Sequence, residues 1–304
     1  MKIAIALGGN ALLQRGQALS SENQLISIRT AARQLASIAQ GHELLITHGN
    51  GPQIGLLALQ AESYKEVRPY PLDVLGAQTQ GALGYLIEQE LANRLPPARQ
   101  LVSLITRTVI HADDPELLLP SKPIGPMYSA QDAKQLAAER QWSVAADGTG
   151  YRRVVPSPQP VAIANLEAIR CLFDQGFIVI AAGGGGVPVV HEQGSKLMRG
   201  VEAVIDKDAT ATLLALKLQV DCLLIVTSVE AVYEDWSLPS QRTIERTTPM
   251  LLKVMSFSEG SMAPKIKAAC RFVSTSGKRA VIGSLHQIEA MLAGTAGTQI
   301  VSHI

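Results

Sequence analysis

The chain has 304 residues, of which 47% are apolar and only 4% are aromatic, so its core must consist mainly of Ala, Leu, Ile and Val. Such a core favours helices packed on a parallel sheet over a β-sandwich. The formal net charge is +1 and the basic residues form no block, which argues against a nucleic-acid-binding surface.

Apolar periodicity and turn residues predict alternating strands and helices along most of the chain. A strand over residues 2–7 is followed by a helix that Ser21 caps and Gly41 closes, and then by a strand over 43–47. A further helix begins after Asn50. The other predicted strands cover 101–110, 177–182, 222–227, 279–284 and 298–302, and the other helices cover 72–95, 163–175, 208–218, 261–275 and 287–293.

Residues 111–160 differ from this pattern because they are rich in proline and polar residues. They predict a short helix at 131–140 and a hairpin around 147–155. We interpret this stretch as a small protruding subdomain, or lid, inserted in a single domain that spans residues 1–304. The alternation on either side of it implies an α/β fold with an open, mostly parallel sheet.

The three cysteines, Cys171, Cys222 and Cys270, are far apart and lie in apolar stretches. Their spacing matches no metal-binding motif, so we expect buried, reduced thiols, as in a reducing cytoplasm. The apolar N-terminal segment is too short for a signal peptide, and glycines and a proline interrupt the longest apolar stretch, 177–190. We therefore expect a cytoplasmic protein without membrane contact.

Glycine-rich turns follow three of the predicted strands: Gly8-Gly9-Asn10, Gly49-Asn50-Gly51 and Gly183–Gly186. Ligands of open parallel sheets bind at the carboxyl ends of the strands, where glycines let main-chain N–H groups approach an anion. One such turn can be purely structural, but three together predict a site for a polyanion. The Walker A sequence is absent and the dinucleotide fingerprint fits poorly, which disfavours a P-loop enzyme and a Rossmann dehydrogenase.

Two lysines are candidates for binding that anion. Lys207 lies between Asp206 and Asp208, which can hold its ammonium group in place for phosphoryl transfer. Lys265 follows the good N-cap Ser261 in Gly260–Lys265 and so lies near the positive end of a helix, where a cation makes sense if an anion shares the site. A solvated charge cluster remains the alternative for both lysines.

Lys122 precedes Pro123, which restricts it to extended backbone in a stiff loop that could close over a ligand. An ordinary surface lysine is the alternative. No general base stands out, and for His48 contact with the ligand and helix capping are both open. An acceptor that is already an anion would need no base.

Nine sequence strings together resemble the carbamate kinase family of the amino-acid kinase superfamily. They cover nearly the whole chain in the family's order: ALGGNALL, THGNGPQIG, PLDVLGAQTQGALGYLI, SKPIGP, GYRRVVPSPQP, AAGGGGVPVV, GVEAVIDKD, GSMAPK and GTQI. The resemblance implies the amino-acid kinase fold, a three-layer α/β/α architecture with an open, mostly parallel sheet and a protruding subdomain, and it implies a homodimer.

The resemblance also implies the reaction ATP + carbamate = ADP + carbamoyl phosphate, with ATP/ADP as co-substrate and Mg²⁺ held mainly by the nucleotide phosphates rather than by side chains. Many family members form ATP in catabolism, here of arginine or of purines and allantoin. Residues 1–200 would form mainly the carbamate side and residues 201–304 mainly the nucleotide side.

The residue roles that the resemblance implies fall into three groups. Lys207 and Lys265 would neutralise the moving phosphoryl group and the leaving phosphate, Asp206 would orient both lysines, and Lys122 would clamp carbamoyl phosphate. The substrate pocket would be lined by Gly8, Gly9, Asn10, Asn50, Gly51, Gly183, Gly184 and Gly185. The nucleotide would be bordered by Thr227, Ser228, Val229, Tyr233, Met262, Pro264 and Lys265.

The sequence departs from the family pattern at Ile110-His111-Ala112, where an acidic stretch is usual, and at three further positions. Ser228 stands where an Asp is usual, Ala263 where a Gly is usual, and Thr149 where the lid usually carries an Arg. The departures affect the nucleotide edge and the lid but leave the lysines and glycines intact, so we expect an active enzyme. Two alternatives remain: a kinase of the same fold with another acceptor, such as an acetylated amino acid or UMP, and a catalytically silent binder.

Overall fold

The computed structural model describes residues 1–13, 16–192, 194–257 and 262–304, without the side chains of residues 10 and 11. The strands are β1 (Lys2–Leu7), β2 (Glu43–His48), β3 (Leu101–Ser103), β4 (Arg107–Val109), β5 (Lys122–Tyr128), β6 (Ser143–Asp147), β7 (Gly150–Val155), β8 (Ala162–Ile163), β9 (Ile178–Ile180), β10 (Val187–His191), β11 (Met198–Gly200), β12 (Cys222–Thr227), β13 (Val232–Glu234), β14 (Arg242–Ile244), β15 (Arg246–Thr247), β16 (Arg279–Ser284) and β17 (Thr298–Ile300). The helices are α1 (Gly9–Leu12), α2 (Ser21–Ala39), α3 (Gly51–Ser63), α4 (Leu72–Ala92), α5 (Ala130–Arg140), α6 (Leu166–Asp174), α7 (Lys207–Lys217), α8 (Pro249–Leu252), α9 (Met262–Ser276) and α10 (Ile288–Ala293).

The main sheet has eight strands in the order β15-β17-β16-β12-β1-β2-β9-β3. Within the described residues its pairs are parallel except for the antiparallel pair β16–β17. Strand β1 lies near the middle. The strands from the second part of the chain, β12, β16, β17 and β15, lie on one side of β1, and β2, β9 and β3 lie on the other.

The alternation of side chains along β1 separates the two helical layers. Ile3, Ile5 and Leu7 share one core cluster with residues of α2, α4 and α10. Ala4 and Ala6 share the other with residues of α6, α7 and α9. Because successive side chains of a strand point to opposite faces, the sheet is covered on both sides. The predicted three-layer α/β/α fold is therefore confirmed.

The predicted lid is a three-stranded antiparallel sheet, in the order β5-β7-β6, with α5 beside it. Its strand β5 packs directly on α3: a Cβ added to Gly55 would lie 1.9 Å from the Cα of Gly125. Gly125 also has a φ of +75°, which favours glycine. Glycine at these two positions lets the lid and the start of the main domain touch through their backbones.

Two arginines and one tryptophan hold the lid together and tie it to α3. The guanidinium groups of Arg140 and Arg153 stack on the ring of Trp142, at 4.9 and 4.5 Å from its centroid. Both arginines also pair with Glu62 at the end of α3, at 2.5 and 3.7 Å. The lid is thus anchored at both ends of the same helix.

The predicted strand over 101–110 is wrong as a single element. Residues 101–103 form β3 in the main sheet, whereas β4 belongs to a second sheet in the order β11-β10-β4-β8. β-branched residues favour extended structure in any sheet, so their run does not show where the chain changes sheets. Between the two strands, Thr106 is held by Gln80, whose amide contacts both the N–H and the carbonyl of Thr106.

Other boundaries shift by a few residues. Strands β1, β12 and β16 have the predicted bounds, but Ser20 rather than Ser21 caps α2, because its hydroxyl accepts from the N–H of Asn23. Residues 162–163 pair with β4, so α6 starts only at Leu166. No helix in the described part of the chain is long and apolar enough to cross a membrane.

The cysteine prediction needs one correction. All three cysteines are free and Cys222 is buried, but Cys270 is only half-buried and Cys171 is exposed. Helix α6 turns Ile169 and Phe173 into the core, and a residue midway between them on an amphipathic helix faces solvent.

Candidate active site

The three glycine turns lie side by side at one edge of the main sheet, since the strands that precede them, β1, β2 and β9, are neighbours. The N–H of Gly49 donates to the carbonyl of Leu7 at 3.0 Å, and a Cβ on Gly49 would lie 3.0 Å from the N atom of Gly9. The N–H of Gly8 donates to Val226 on β12. Four parallel strands therefore end at the same place, where ligands of open α/β sheets bind.

The turn over residues 182–186 depends on its glycines. Four of its residues have positive φ angles between 53° and 91°. A Cβ on Gly184 would lie 2.1 Å from Nδ2 of Asn50. Asn50 is the residue before α3, as predicted, but its side chain does not cap the helix; its amide donates to the hydroxyl of Thr79 at 2.8 Å. The Asn50 side chain thus lies between the Gly183–Gly186 turn and Thr79 of α4.

His48 is buried against the same turn and is not poised as a general base. Its Nδ1 lies 3.1 Å from the carbonyl oxygen of Gly49, and a Cβ on Gly183 would clash with its ring. Burial lowers the pKa of His48 to about 4. The ring is therefore neutral near pH 7, and its position indicates a structural role.

Two ammonium groups meet at one buried carboxylate beside these turns. Lys207 begins α7 and Lys265 lies in the first turn of α9. Their Nζ atoms lie 2.8 Å from the two oxygens of Asp208, which is 1% exposed. A Cβ on Gly49 would lie 3.4 Å from Cδ of Lys207. Since each ammonium group has three N–H donors, both retain capacity for a ligand.

The charges of this cluster perturb one another. Burial would raise the pKa of Asp208, but Lys207 and Lys265 outweigh burial and hold it below its usual value. Burial alone would lower the pKa of Lys265, but the charge of Asp208 outweighs burial, so the pKa is raised. Burial lowers the pKa of Lys207 to about 8 against the attraction of Asp208. The cluster thus contains one firmly charged lysine and one that can lose its proton near physiological pH.

This asymmetry predicts an alkaline decline in activity. We expect kcat/KM for carbamoyl phosphate, the substrate that the sequence resemblance implies, to fall above about pH 8. Lys207 is charged below its pKa of about 8 and neutral above it, and kcat/KM reports the free enzyme. Bound phosphate favours the charged form, so kcat should fall only at higher pH. In Lys207→Arg the guanidinium stays charged, and the remaining activity should lack this decline. A wild-type profile that stays flat above pH 8 would contradict the assignment.

Asp206 contacts a different lysine from those predicted. Its side chain caps α7 by accepting from the N–H groups of Asp208 and Ala209, at 2.9 and 3.1 Å, and it pairs with Lys122 of the lid. The residue that bonds Lys207 and Lys265 is Asp208. An N-cap side chain bends back towards the first turn, whereas Asp208, inside that turn, is buried and bonds Lys265 of α9.

The Lys122–Asp206 pair joins the lid to the start of α7. Burial would raise the pKa of Asp206, but the charges of Lys122 and Lys207 outweigh it and keep the pKa well below its usual range. Lys122 is therefore more than an ordinary surface lysine, because its ammonium group pairs with the residue that directly precedes Lys207. Its predicted contact with carbamoyl phosphate remains a prediction.

Arg152, to which the resemblance assigns no role, adds a fourth cation beside the glycine turn that contains Gly51. Its Nε donates to the carbonyl of Gly125 at 3.0 Å and its Nη1 to Asp147 at 3.1 Å. Its Nη2 lies 3.9 Å from the position of a Cβ on Gly51. Thr149, one of the family departures, is exposed in the two-residue turn between β6 and β7.

Four of the predicted nucleotide-binding residues lie at or after the carboxyl end of β12. Thr227 ends β12, and its Cα lies 3.7 Å from the position of a Cβ on Gly8. Ser228 and Val229 follow directly. Tyr233 lies in the β13–β14 hairpin. Their contact with nucleotide remains a prediction.

Met262, Ala263 and Pro264 share the first turn of α9 with Lys265. The predicted N-cap Ser261, with Gly260 before it, lies outside the described residues. So does the side chain of Asn10, and its predicted contact with substrate stays a prediction.

Comparison with known proteins identifies the family. A model described as "Amino acid kinase family" matches residues 1–284. Carbamate kinase from Haemophilus influenzae is 48% identical over 300 residues, covering 99% of this chain and 96% of that protein, and carbamate kinase from Escherichia coli O6:H1 is 49% identical over 298 residues, covering 98% of each. The chain belongs to the carbamate kinases of the amino acid kinase family.

Solved carbamate kinase structures have the same fold. Carbamate kinase from Giardia lamblia bound to AMP-PNP is 36% identical with a TM-score of 0.88, and the same protein bound to citric acid is 35% identical with a TM-score of 0.93; both cover 99% of this chain and 98% of theirs. A UMP kinase from Bacillus anthracis, 14% identical with a TM-score of 0.53, shares the fold alone. The predicted family and fold are confirmed.

Proposed function

We propose that this carbamate kinase transfers a phosphoryl group between carbamoyl phosphate and ADP, forming carbamate and ATP, and catalyses the reverse reaction as well. The observation that carries the proposal is the pair of ammonium groups of Lys207 and Lys265 on one buried carboxylate, at the sheet edge where three glycine turns meet. The relatives named carbamate kinase, at 48% and 49% identity over nearly the full chain, support this acceptor.

The chemistry matches what the cluster offers. A β-phosphate oxygen of ADP bonds to the phosphorus of carbamoyl phosphate while the P–O bond to the carbamoyl group breaks, and the electron pair stays on the carbamate oxygen. Both oxygens are anionic, so no proton has to move and no general base is required. Phosphoryl transfer then depends on positioning and on positive charge around the moving group, which Lys207 and Lys265 would supply.

Mg²⁺ would enter with the nucleotide as part of the substrate MgADP or MgATP. Among the described residues no group of three His, Cys, Asp or Glu side chains could hold a metal ion. Asp206 and Asp208, the two carboxylates that flank Lys207, already accept from lysines. The donor set of the protein therefore suits a cation bound by phosphates rather than by side chains.

A coupled assay tests the proposal. Purified protein with carbamoyl phosphate and MgADP should produce ATP, detected with hexokinase and glucose-6-phosphate dehydrogenase. ATP-dependent phosphorylation of an acetylated amino acid or UMP, with no use of carbamoyl phosphate, would favour another acceptor. Binding of carbamoyl phosphate without turnover would favour a silent binder.

Replacing Lys122 tests the lid's part in this function. Lys122→Ala should raise KM for carbamoyl phosphate about tenfold or more while changing KM for ADP little, because a charge-assisted hydrogen bond to substrate contributes about 1.5–3 kcal/mol. Lys134→Ala, an exposed lid lysine on α5, is the matched control and should behave as wild type. Equal kinetics for the two variants would return Lys122 to a surface role.

The same proposal extends to assembly and cellular role. We expect a homodimer in the cytoplasm that forms ATP during catabolism of arginine, purines or allantoin. Support for a second copy comes from α4: Gly84 packs on Ser103 of its own chain, whereas Gly81 and Tyr85 face solvent. Light scattering should give twice the mass of the chain, and Tyr85→Glu should lower it if this face is the interface.

A further inference from the structure

Two buried threonines from different elements bind the same carbonyl oxygen. The hydroxyl of Thr108 on β4 donates to the carbonyl of Gly185 at 2.9 Å, and the hydroxyl of Thr210 on α7 donates to it at 3.0 Å. Both side chains are fully buried. A carbonyl oxygen has two lone pairs, and here both are used by side chains that come from separate parts of the chain.

The peptide that carries this carbonyl has little conformational preference of its own. It joins Gly185 to Gly186 in a turn of four consecutive glycines, three of which have positive φ angles. Its N–H donates to the carbonyl of Gly183 at 3.1 Å. The two hydroxyls therefore add side-chain restraint where the glycines themselves supply almost none.

The hydrogen bond from Thr210 also connects the glycine turn to α7, the helix that begins at Lys207. Thr210 lies one turn of α7 after Lys207, and its hydroxyl also lies 3.3 Å from the carbonyl of Asp206. Thr108 reaches the turn from the second sheet. On another side of the turn, the Asn50 amide would meet a Cβ on Gly184 at 2.1 Å. The turn is thus held between the start of α3, the second sheet and α7.

We propose that Thr108 and Thr210 are positioning residues for phosphoryl transfer: they fix the Gly183–Gly186 turn in its anion-binding orientation relative to Lys207. The proposal rests on the proposed function, in which this turn lines the carbamoyl phosphate pocket. If the Gly185–Gly186 peptide rotated, its carbonyl oxygen, the negative end of the peptide dipole, would point away from the two threonine hydroxyls. Near a doubly charged substrate, a misplaced carbonyl repels where an N–H attracts.

Thr210→Val removes the hydroxyl and keeps the branched shape. We expect KM for carbamoyl phosphate to rise about tenfold, the scale of one lost hydrogen bond, with KM for ADP nearly unchanged. Thr108→Val should act in the same way, and the double variant should rise further. Thr210→Ser, which restores the hydroxyl, should recover most of the loss.

Thr212→Val is the matched control. Thr212 lies two residues further along α7, is equally buried, and donates its hydroxyl to the carbonyl of Ala268 at 3.2 Å, away from the glycine turn. Both valine variants lose one buried hydrogen bond from the same helix, so they should lower the thermal unfolding temperature by similar amounts. Only Thr210→Val should change KM for carbamoyl phosphate.

Equal kinetics for Thr210→Val and Thr212→Val would overturn the proposal, as would a failure of Thr210→Ser to restore KM. A wild-type protein that forms no ATP from carbamoyl phosphate would refute the proposed function instead. Binding of carbamoyl phosphate, measured by calorimetry in the same variants, would then still show whether the hydroxyls hold the pocket.

Discussion

Replacing Lys207 or Lys265 by alanine should lower kcat by about a hundredfold or more in each case, the usual effect of removing one preorganised charge from a transition state. Both ammonium groups lie 2.8 Å from oxygens of Asp208, so their positions are set before substrate binds. Steady-state kinetics with carbamoyl phosphate and MgADP would measure the effect. The double variant should lose less than the product of the two single losses, because the lysines act as a unit.

A surface lysine provides the control for these variants. Lys278 pairs with Asp221 at 3.1 Å, at the start of β12 and so at the end of the strand opposite Thr227. Lys278→Ala should keep the wild-type kcat. A loss confined to KM in Lys207→Ala or Lys265→Ala would mean that the lysine binds substrate and transition state equally, which contradicts its role in the chemical step.

Much of the fold follows from local sequence signals. Strands β1, β12 and β16 have the predicted bounds because they are apolar runs, buried in all but end residues, that stop abruptly at turn residues. The change of sheet between β3 and β4 could not be predicted, since it depends on pairing with β9 and β10, far along the chain. The helix before β9 was predicted too long for a similar reason: residues 162–163 pair with β4.

The site shows the same division between local and long-range information. The glycine turns could be predicted because strand ends and glycines are local features of the sequence. A parallel sheet then brings the ends of neighbouring strands, and so the turns, to the same edge. Both Asp206 and Asp208 could be predicted to hold Lys207, but which of them also bonds Lys265 could not, because the two are equivalent in the sequence Asp-Lys-Asp. Their positions at the start of the helix distinguish them. The side chain of Asp206 caps α7 by turning back on the backbone, whereas that of Asp208 reaches Lys265 of α9. Thr108, Thr210 and Arg152 could not be predicted either, because they bond backbone carbonyls that are distant in sequence.

The Asp208→Asn variant tests the arrangement on which both lysines depend. An asparagine side chain can accept from one ammonium group through its oxygen, but its NH2 group would face the other, donor against donor. We expect kcat to fall by about a hundredfold or more, since one side chain no longer holds both ammonium groups in place. Loss of one partner of a buried ion pair also costs about 3–5 kcal/mol, so the melting temperature should fall.

The pH profile of Asp208→Asn separates misplaced lysines from general destabilisation. Asp208 is the main charge that opposes burial at Lys207, and without it the pKa of Lys207 should drop below its value of about 8. The alkaline decline in kcat/KM should therefore move to lower pH. Asp174→Asn, which removes a surface pair with Lys2 at 2.6 Å, should leave both kcat and the profile unchanged. An Asp208→Asn enzyme that is merely less stable, with the wild-type kcat and alkaline limb, would mean that the carboxylate holds the helices together but does not set the charges that act on the phosphoryl group.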